Sequence, residues 1–176
     1  MELLAVTSVN DPHLAYIKAL YESTFPVQER RDWPKLLKLL QEPAMKLSTV
    51  LADNEAIGFV IGWQIGDWYY VEHLAIDPEQ RGKKYGERVM ETVLEAGRGK
   101  VILEVERVHD TNSQRRIGFY ERLGYTVVNY DYVQPPYRKG EDVLPLLLMS
   151  RPALTDENEA SILANQIKYM VYKRYY

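Results

Sequence analysis

The stretch from Trp68 to Glu106 constrains the fold more than any other part of the chain. WYYVEHLAI (68–76) has the composition of a strand and breaks at Asp77-Pro78. GERVMETVLEAG (86–97) carries Val89, Met90, Val93 and Leu94 at helical spacing, with Gly97 or Gly99 closing it. KVILEVE (100–106) then reads as a strand again. A helix between two strands makes a crossover, so these two strands are expected to run parallel.

The flanking segments add antiparallel strands and helices. ELLAVTSV reads as a first strand, and Asp11-Pro12 opens a helix with the stripe Leu14, Ile17, Leu20 and Tyr21, ended by Pro26. Asp32-Trp33-Pro34 starts a second, short helix stopped by Pro43. KLSTVLA, AIGFVIGWQ and WYYVEHLAI are separated by Asp53-Asn54 and Gly66-Asp67, which predicts an antiparallel meander. SQRRIGFYERLG is a short helix stopped by Gly124. YTVVNYDYV and VLPLLLM are the last strands, joined by QPPYRKGED. Thr155-Asp156 with Glu159 caps a final helix, SILANQIKYMVYKRYY. The expected fold is α/β in the α+β sense: a central mixed, mostly antiparallel sheet with helices on both faces. Residues 1–150 are expected to form the domain and 151–176 a helical extension. The extension's stripe of Leu163, Ile167, Met170 and Val171 either packs on its own chain or makes a homodimer contact.

Composition removes several chemistries. The chain has no cysteine, which excludes disulfides, thiolate catalysis and cysteine-based zinc sites. Its three histidines have no ligand spacing, so no metal is expected. A net charge of −3 argues against nucleic-acid binding by bulk electrostatics. The N-terminus does not read as a signal peptide, and no apolar run is long enough to span a membrane. The expected location is cytoplasmic.

Between the strand ending at Ile76 and the next helix lie Arg81, Gly82, Lys83, Lys84, Tyr85 and Gly86. A helix start offers unpaired N–H groups and a positive dipole end, and glycine lets an anion approach the backbone. A diphosphate would suit such a turn, although a solvated basic loop has the same composition. The spacing resembles the pyrophosphate loop of the Gcn5-related N-acetyltransferase (GNAT) superfamily, Q/R-x-x-G-x-G/A. Arg81 takes the first position and Gly86 the last, while Lys84 stands where the pattern has its middle glycine. If that position needs a positive φ, lysine carries a steric cost. IGFYERLGYT resembles the second motif of the same superfamily, with Phe119-Tyr120 and Gly124-Tyr125 in the expected order.

The resemblance implies acetyl-CoA as cosubstrate and a primary amine of a small molecule or peptide as acceptor. It implies a bulged strand whose Leu74, Ala75 and Ile76 pair with the pantetheine arm. It also implies cofactor contacts from Asn112 or Ser113 and from Phe119, and a loop from Arg81 to Gly86 that holds the diphosphate. Amine acetylation needs a base, a polarised carbonyl and an acid for the thiolate. Tyr120 matches the superfamily acid. Glu104 matches a base used by ribosomal-protein N-terminal acetyltransferases, and Glu72 on the neighbouring strand competes with it. Strand alternation places His73 on the face opposite Glu72. Glu29, Trp33, Tyr132, Tyr137 and Asp142 are candidates for shaping the acceptor cleft. The competing function is an acyl-CoA-binding sensor or regulatory module that does not turn over. A weaker third reading is an unrelated binder of phosphate ligands.

Overall fold

The computed structural model describes residues 1–129 and 131–175. Tyr130 and Tyr176, expected in a strand and in the final helix, lie outside the described residues. Among the described residues, five α-helices and eight strands follow in the order β1 (Glu2–Val6), α1 (Leu14–Thr24), α2 (Trp33–Lys38), β2 (Met45–Ala52), β3 (Glu55–Ile65), β4 (Trp68–Ile76), α3 (Tyr85–Ala96), β5 (Val101–Glu106), α4 (Thr111–Arg122), β6 (Thr126–Asn129), β7 (Val133–Gln134), β8 (Leu144–Arg151) and α5 (Glu157–Ile167). The sheet runs β1-β2-β3-β4-β5-β8-β6, with β7 paired to β8. The expected mixed, mostly antiparallel sheet is present.

β2, β3 and β4 form the antiparallel meander. Asp53 and Asn54 turn the first hairpin with φ of 52° and 67°, as a tight two-residue turn requires. β4 and β5 are the parallel pair, with registered partners only from Tyr69 to Val71 on β4 and from Val101 to Leu103 on β5. Beyond that point the strands separate, while the other edge of β5 pairs with β8 from Val101 to Glu106.

The helical stripes explain the layers. Ile17, Leu20 and Tyr21 of α1, Leu36 of α2 and Leu163 and Ile167 of α5 pack on one face of the sheet. Val89, Met90 and Val93 of α3 and Ile117 of α4 pack on the other. Each large apolar side chain so buried contributes roughly 1.5–3 kcal/mol. The α5 stripe therefore packs on its own chain.

Several boundaries differ from the sequence reading. β1 stops at Val6. α1 starts at Leu14, because Asp11 accepts from the His13 amide and forms a turn ahead of the helix. The expected strand 125–133 divides into β6 and β7. The last helix stays α-helical only to Ile167, widens into a π-helical turn over Lys168–Tyr172 and tightens over Lys173–Tyr175.

A single bulge sets the geometry of the site. His73 faces Ile61 across the β3–β4 ladder, and Val71 faces Gly62, so Glu72 is the extra residue. The bulge rephases β4. Glu72 and His73 consequently point to the same face, contrary to simple alternation: Glu72 reaches Trp63, and His73 packs against Tyr21 and Phe25.

Candidate active site

The separation of β4 from β5 opens a cavity of about 910 Å³. β4 lines it with Glu72, Leu74, Ala75 and Ile76, and β5 with Glu104 and Glu106. α4 adds Asn112, Phe119 and Tyr120, and Arg81 stands at the loop end. From Glu72 to Ile76, β4 has no registered partner on its β5 side. Backbone polar groups on such an edge can pair with a ligand that carries amides.

The loop lines an adjoining cavity of about 310 Å³ with Arg81, Gly82, Lys84, Tyr85 and Gly86, closed by Phe119. Gly82 has φ of +81°, which glycine adopts freely. Lys84 is the residue before α3 and sits in the left-handed region at φ 57°. The lysine in the middle glycine position therefore does carry the steric cost. A Cβ on Gly86 would stand 3.4 Å from the Phe119 ring, so glycine seats the helix start closely against that ring. Lys83 lines neither cavity: its Nζ donates to Gln80 at 2.8 Å.

Asn112 and Ser113 separate clearly. Asn112 is exposed and faces the cavity. Ser113 is buried and forms the α4 capping box, its amide donating to Asp110 at 2.7 Å and its hydroxyl accepting from the Asp110 amide. That role leaves Ser113 off the cavity wall.

Glu72 lines the cleft but is held as one half of a buried ion pair. Its side chain is 1% exposed and that of Arg31 3%. Arg31 Nε lies 3.2 Å from one carboxylate oxygen, and Trp63 Nε1 donates to the other at 2.6 Å. The Arg31 guanidinium also donates to the Val171 carbonyl. Its centre stands 4.9 Å from the Tyr137 ring and about 6 Å from those of Trp63, Tyr172 and Tyr175. Locked to a buried guanidinium, Glu72 serves the cleft as a structural ion pair. His73 is packed in aromatic rings and donates Nε2–H to the Glu29 carbonyl at 2.9 Å. Burial pushes its pKa down, so it is neutral.

Glu104 differs. Tyr132 donates to one of its oxygens at 2.5 Å and Tyr172 to the other at 2.8 Å. Burial raises its carboxyl to about 7, partly opposed by hydrogen bonds from the tyrosines. A carboxyl at that value changes charge near neutrality, as a general base should. Tyr120 is half-buried, its ring set edge-on to Phe119 and to Tyr125. Burial raises its hydroxyl, which keeps the proton in place.

A narrower cavity of about 100 Å³ leads from Glu104 past Glu29, Phe25, His73 and Tyr137. Arg138 pins the loop that carries Tyr137 to Asp32 at 2.5 Å. Burial first, then the nearby Glu106 charge, raises the Glu29 carboxyl. Trp33 packs into the core, and Asp142 is exposed and lines none of these cavities. Sequence reasoning passed over Arg31, Trp63 and Tyr172. Its one signal was the fourteen tyrosines, since buried hydroxyls need partners.

The free β4 edge, the two glycines and the helix start fit the pantetheine and diphosphate of acetyl-CoA. Comparison with known proteins agrees. The acetyltransferase (GNAT) family model matches residues 14–125. A search of the curated proteins returns no match. Among solved structures, a GNAT-family protein from Bacteroides thetaiotaomicron is similar at 32% identity, with 98% of each chain covered and a TM-score of 0.92. Two others share the fold. The ribosomal-protein-S18-alanine N-acetyltransferase from Escherichia coli is 19% identical over 89% of this chain and 97% of its own, with a TM-score of 0.60. The aminoglycoside 6′-N-acetyltransferase from Enterococcus faecium is 17% identical over 89% and 100%, with a TM-score of 0.61. On the matched model and the full-length similarity, the chain belongs to the GNAT acetyltransferase family, which uses acetyl-CoA as its cosubstrate.

Proposed function

We propose that this protein moves an acetyl group directly from acetyl-CoA to a primary amine of a small molecule or peptide, with Glu104 as base and Tyr120 as acid. The observation that carries this reading is Glu104: a carboxyl raised to about 7, held by neutral hydroxyls, on the wall of the cavity that Tyr120 also lines. When bound, acetyl-CoA supplies a thioester carbonyl and a thiolate leaving group. Backbone N–H groups of β4 between Glu72 and Ile76 hold the pantetheine arm and polarise the carbonyl. Arg81 and the backbone from Gly82 to Gly86 hold the diphosphate with the α3 N-terminus. Glu104 takes a proton from the acceptor ammonium. Tyr120 gives its hydroxyl proton to the departing sulfur. Transfer is direct: the chain has no cysteine, and among the described residues no serine lines these cavities. The acceptor enters along Glu29 and Tyr137, where a carboxyl and an aromatic face suit a cation.

Two assays test the reading. Calorimetric titration with acetyl-CoA is expected to give micromolar binding, with ADP much weaker. Release of free CoA is then measured across a panel of amines. Tyr120→Phe is expected to lower kcat by about 10²-fold, with acetyl-CoA affinity nearly unchanged. Binding without CoA release from any amine would point to the sensor role. Unchanged turnover in Tyr120→Phe would remove that residue from the mechanism.

A further inference from the structure

The hydroxyl groups around Glu104 come largely from outside the region that the family model matches. That match ends at residue 125, whereas Tyr132 and Tyr172 lie beyond it. Tyr172 donates to the Glu104 carboxylate, and its oxygen lies 2.8 Å from the Tyr70 hydroxyl. Since the single Tyr172 proton goes to Glu104, Tyr70 donates to Tyr172, and the three groups form a chain that ends on the carboxylate.

The path of the C-terminus explains how Tyr172 arrives there. The helix leaves α-helical geometry at Lys168 and takes a π-helical turn to Tyr172. Such turns are rare, and they occur frequently at functional sites. Here Val171 and Tyr172, neighbours in sequence, are both buried. The Val171 carbonyl at this helix end accepts from Arg31, the partner of Glu72. One turn of chain thus touches both carboxylates of the cleft: Glu104 through a hydroxyl, and Glu72 through Arg31.

We infer that the C-terminal segment Lys168–Tyr175 completes the catalytic centre, and that Tyr172, seconded by Tyr132 on the other oxygen, is a positioning residue that fixes the Glu104 carboxylate as the base. This rests on Glu104 having the role proposed above. The groups facing Glu104 are Tyr70 and Glu72 of β4, Tyr132 ahead of β7, Tyr137 after it, and Tyr172. The donated hydrogen bonds favour the charged carboxylate, while burial and the Glu72 charge oppose it. Loss of the Tyr172 hydroxyl therefore makes the carboxyl hold its proton to higher pH.

The test follows the Glu104 side-chain carboxyl carbon by NMR in the full, ¹³C-labelled chain, its signal assigned by its loss in Glu104→Gln. Titrations of wild type and Tyr172→Phe are compared, alongside kcat/KM against pH. The expected result is an upward shift of about one pH unit in both the carboxyl titration and the acid limb of kcat/KM. On the acid side that equals about a tenfold loss, shrinking as pH rises. Tyr132→Phe should shift both in the same direction, and it stands in if Tyr172→Phe does not fold. An unmoved carboxyl titration overturns the inference, as does a loss of activity equal at every pH, which marks a packing role alone. A carboxyl titration that moves while the acid limb stays fixed shows that Glu104 is not the base. It retains the contact but overturns the catalytic role of Tyr172.

Discussion

Glu72 and Glu104 stand on neighbouring strands, face the same side of the sheet and line the same cavity, yet they are held in opposite ways. Glu72 is gripped by a cation and an indole N–H. Glu104 meets hydroxyls, which are neutral. A buried cation ties its partner into a structural ion pair. Neutral donors orient a carboxylate while leaving it free to take a proton. The first carboxylate supports the cleft, and the second is placed to act in it.

Opposite stability effects would sharpen this contrast most. Glu72→Gln leaves Arg31 buried without its counter-ion, and breaking a buried pair costs about 3–5 kcal/mol. In a chain of this size the melting temperature should fall by roughly 10 °C. Glu104→Gln should show no such fall at pH 8. Its carboxyl titrates near 4.5 when unfolded and about 7 when folded. Ionisation is thus harder in the folded chain. The resulting penalty is absent below the unfolded value, grows between the two and is constant above, at roughly 3 kcal/mol. A neutral side chain removes it. Thermal melts of both variants at pH 8 check the pair, and a comparable fall in Glu104→Gln would erase the contrast.

A smaller effect is expected at the other end of the cleft. Lys84 sits exposed at φ 57°, where a lysine is strained by about 1 kcal/mol. Lys84→Gly should raise the melting temperature by about 2–3 °C and leave acetyl-CoA affinity undiminished. Weaker binding would instead make the Lys84 side chain part of the phosphate site.

Much of this was legible in the sequence because it is local. Period-two and period-3.6 patterns gave the meander, the parallel crossover and the helices, and the Arg81–Gly86 spacing located the loop at the start of α3. The orientation of Glu72 and His73 was missed, because a bulge breaks the alternation on which that reading depended. Gly62, inside a strand and opposite the bulge, was its one sequence sign. Ser113 stayed an alternative to Asn112 although Asp110 stands three residues before it, the spacing of a capping box. The link from Tyr172 to Glu104 spans 68 residues, and no local pattern encodes it.

The most direct measurement is the pH profile of kcat/KM for wild type and Glu104→Gln, taken with an amine that releases CoA. The wild type is expected to rise through about pH 7, and Glu104→Gln to lose about 10²-fold or more together with that limb. A Glu104→Gln enzyme that keeps both the rate and the limb would contradict Glu104 as the base, and the base would then lie elsewhere in the cleft.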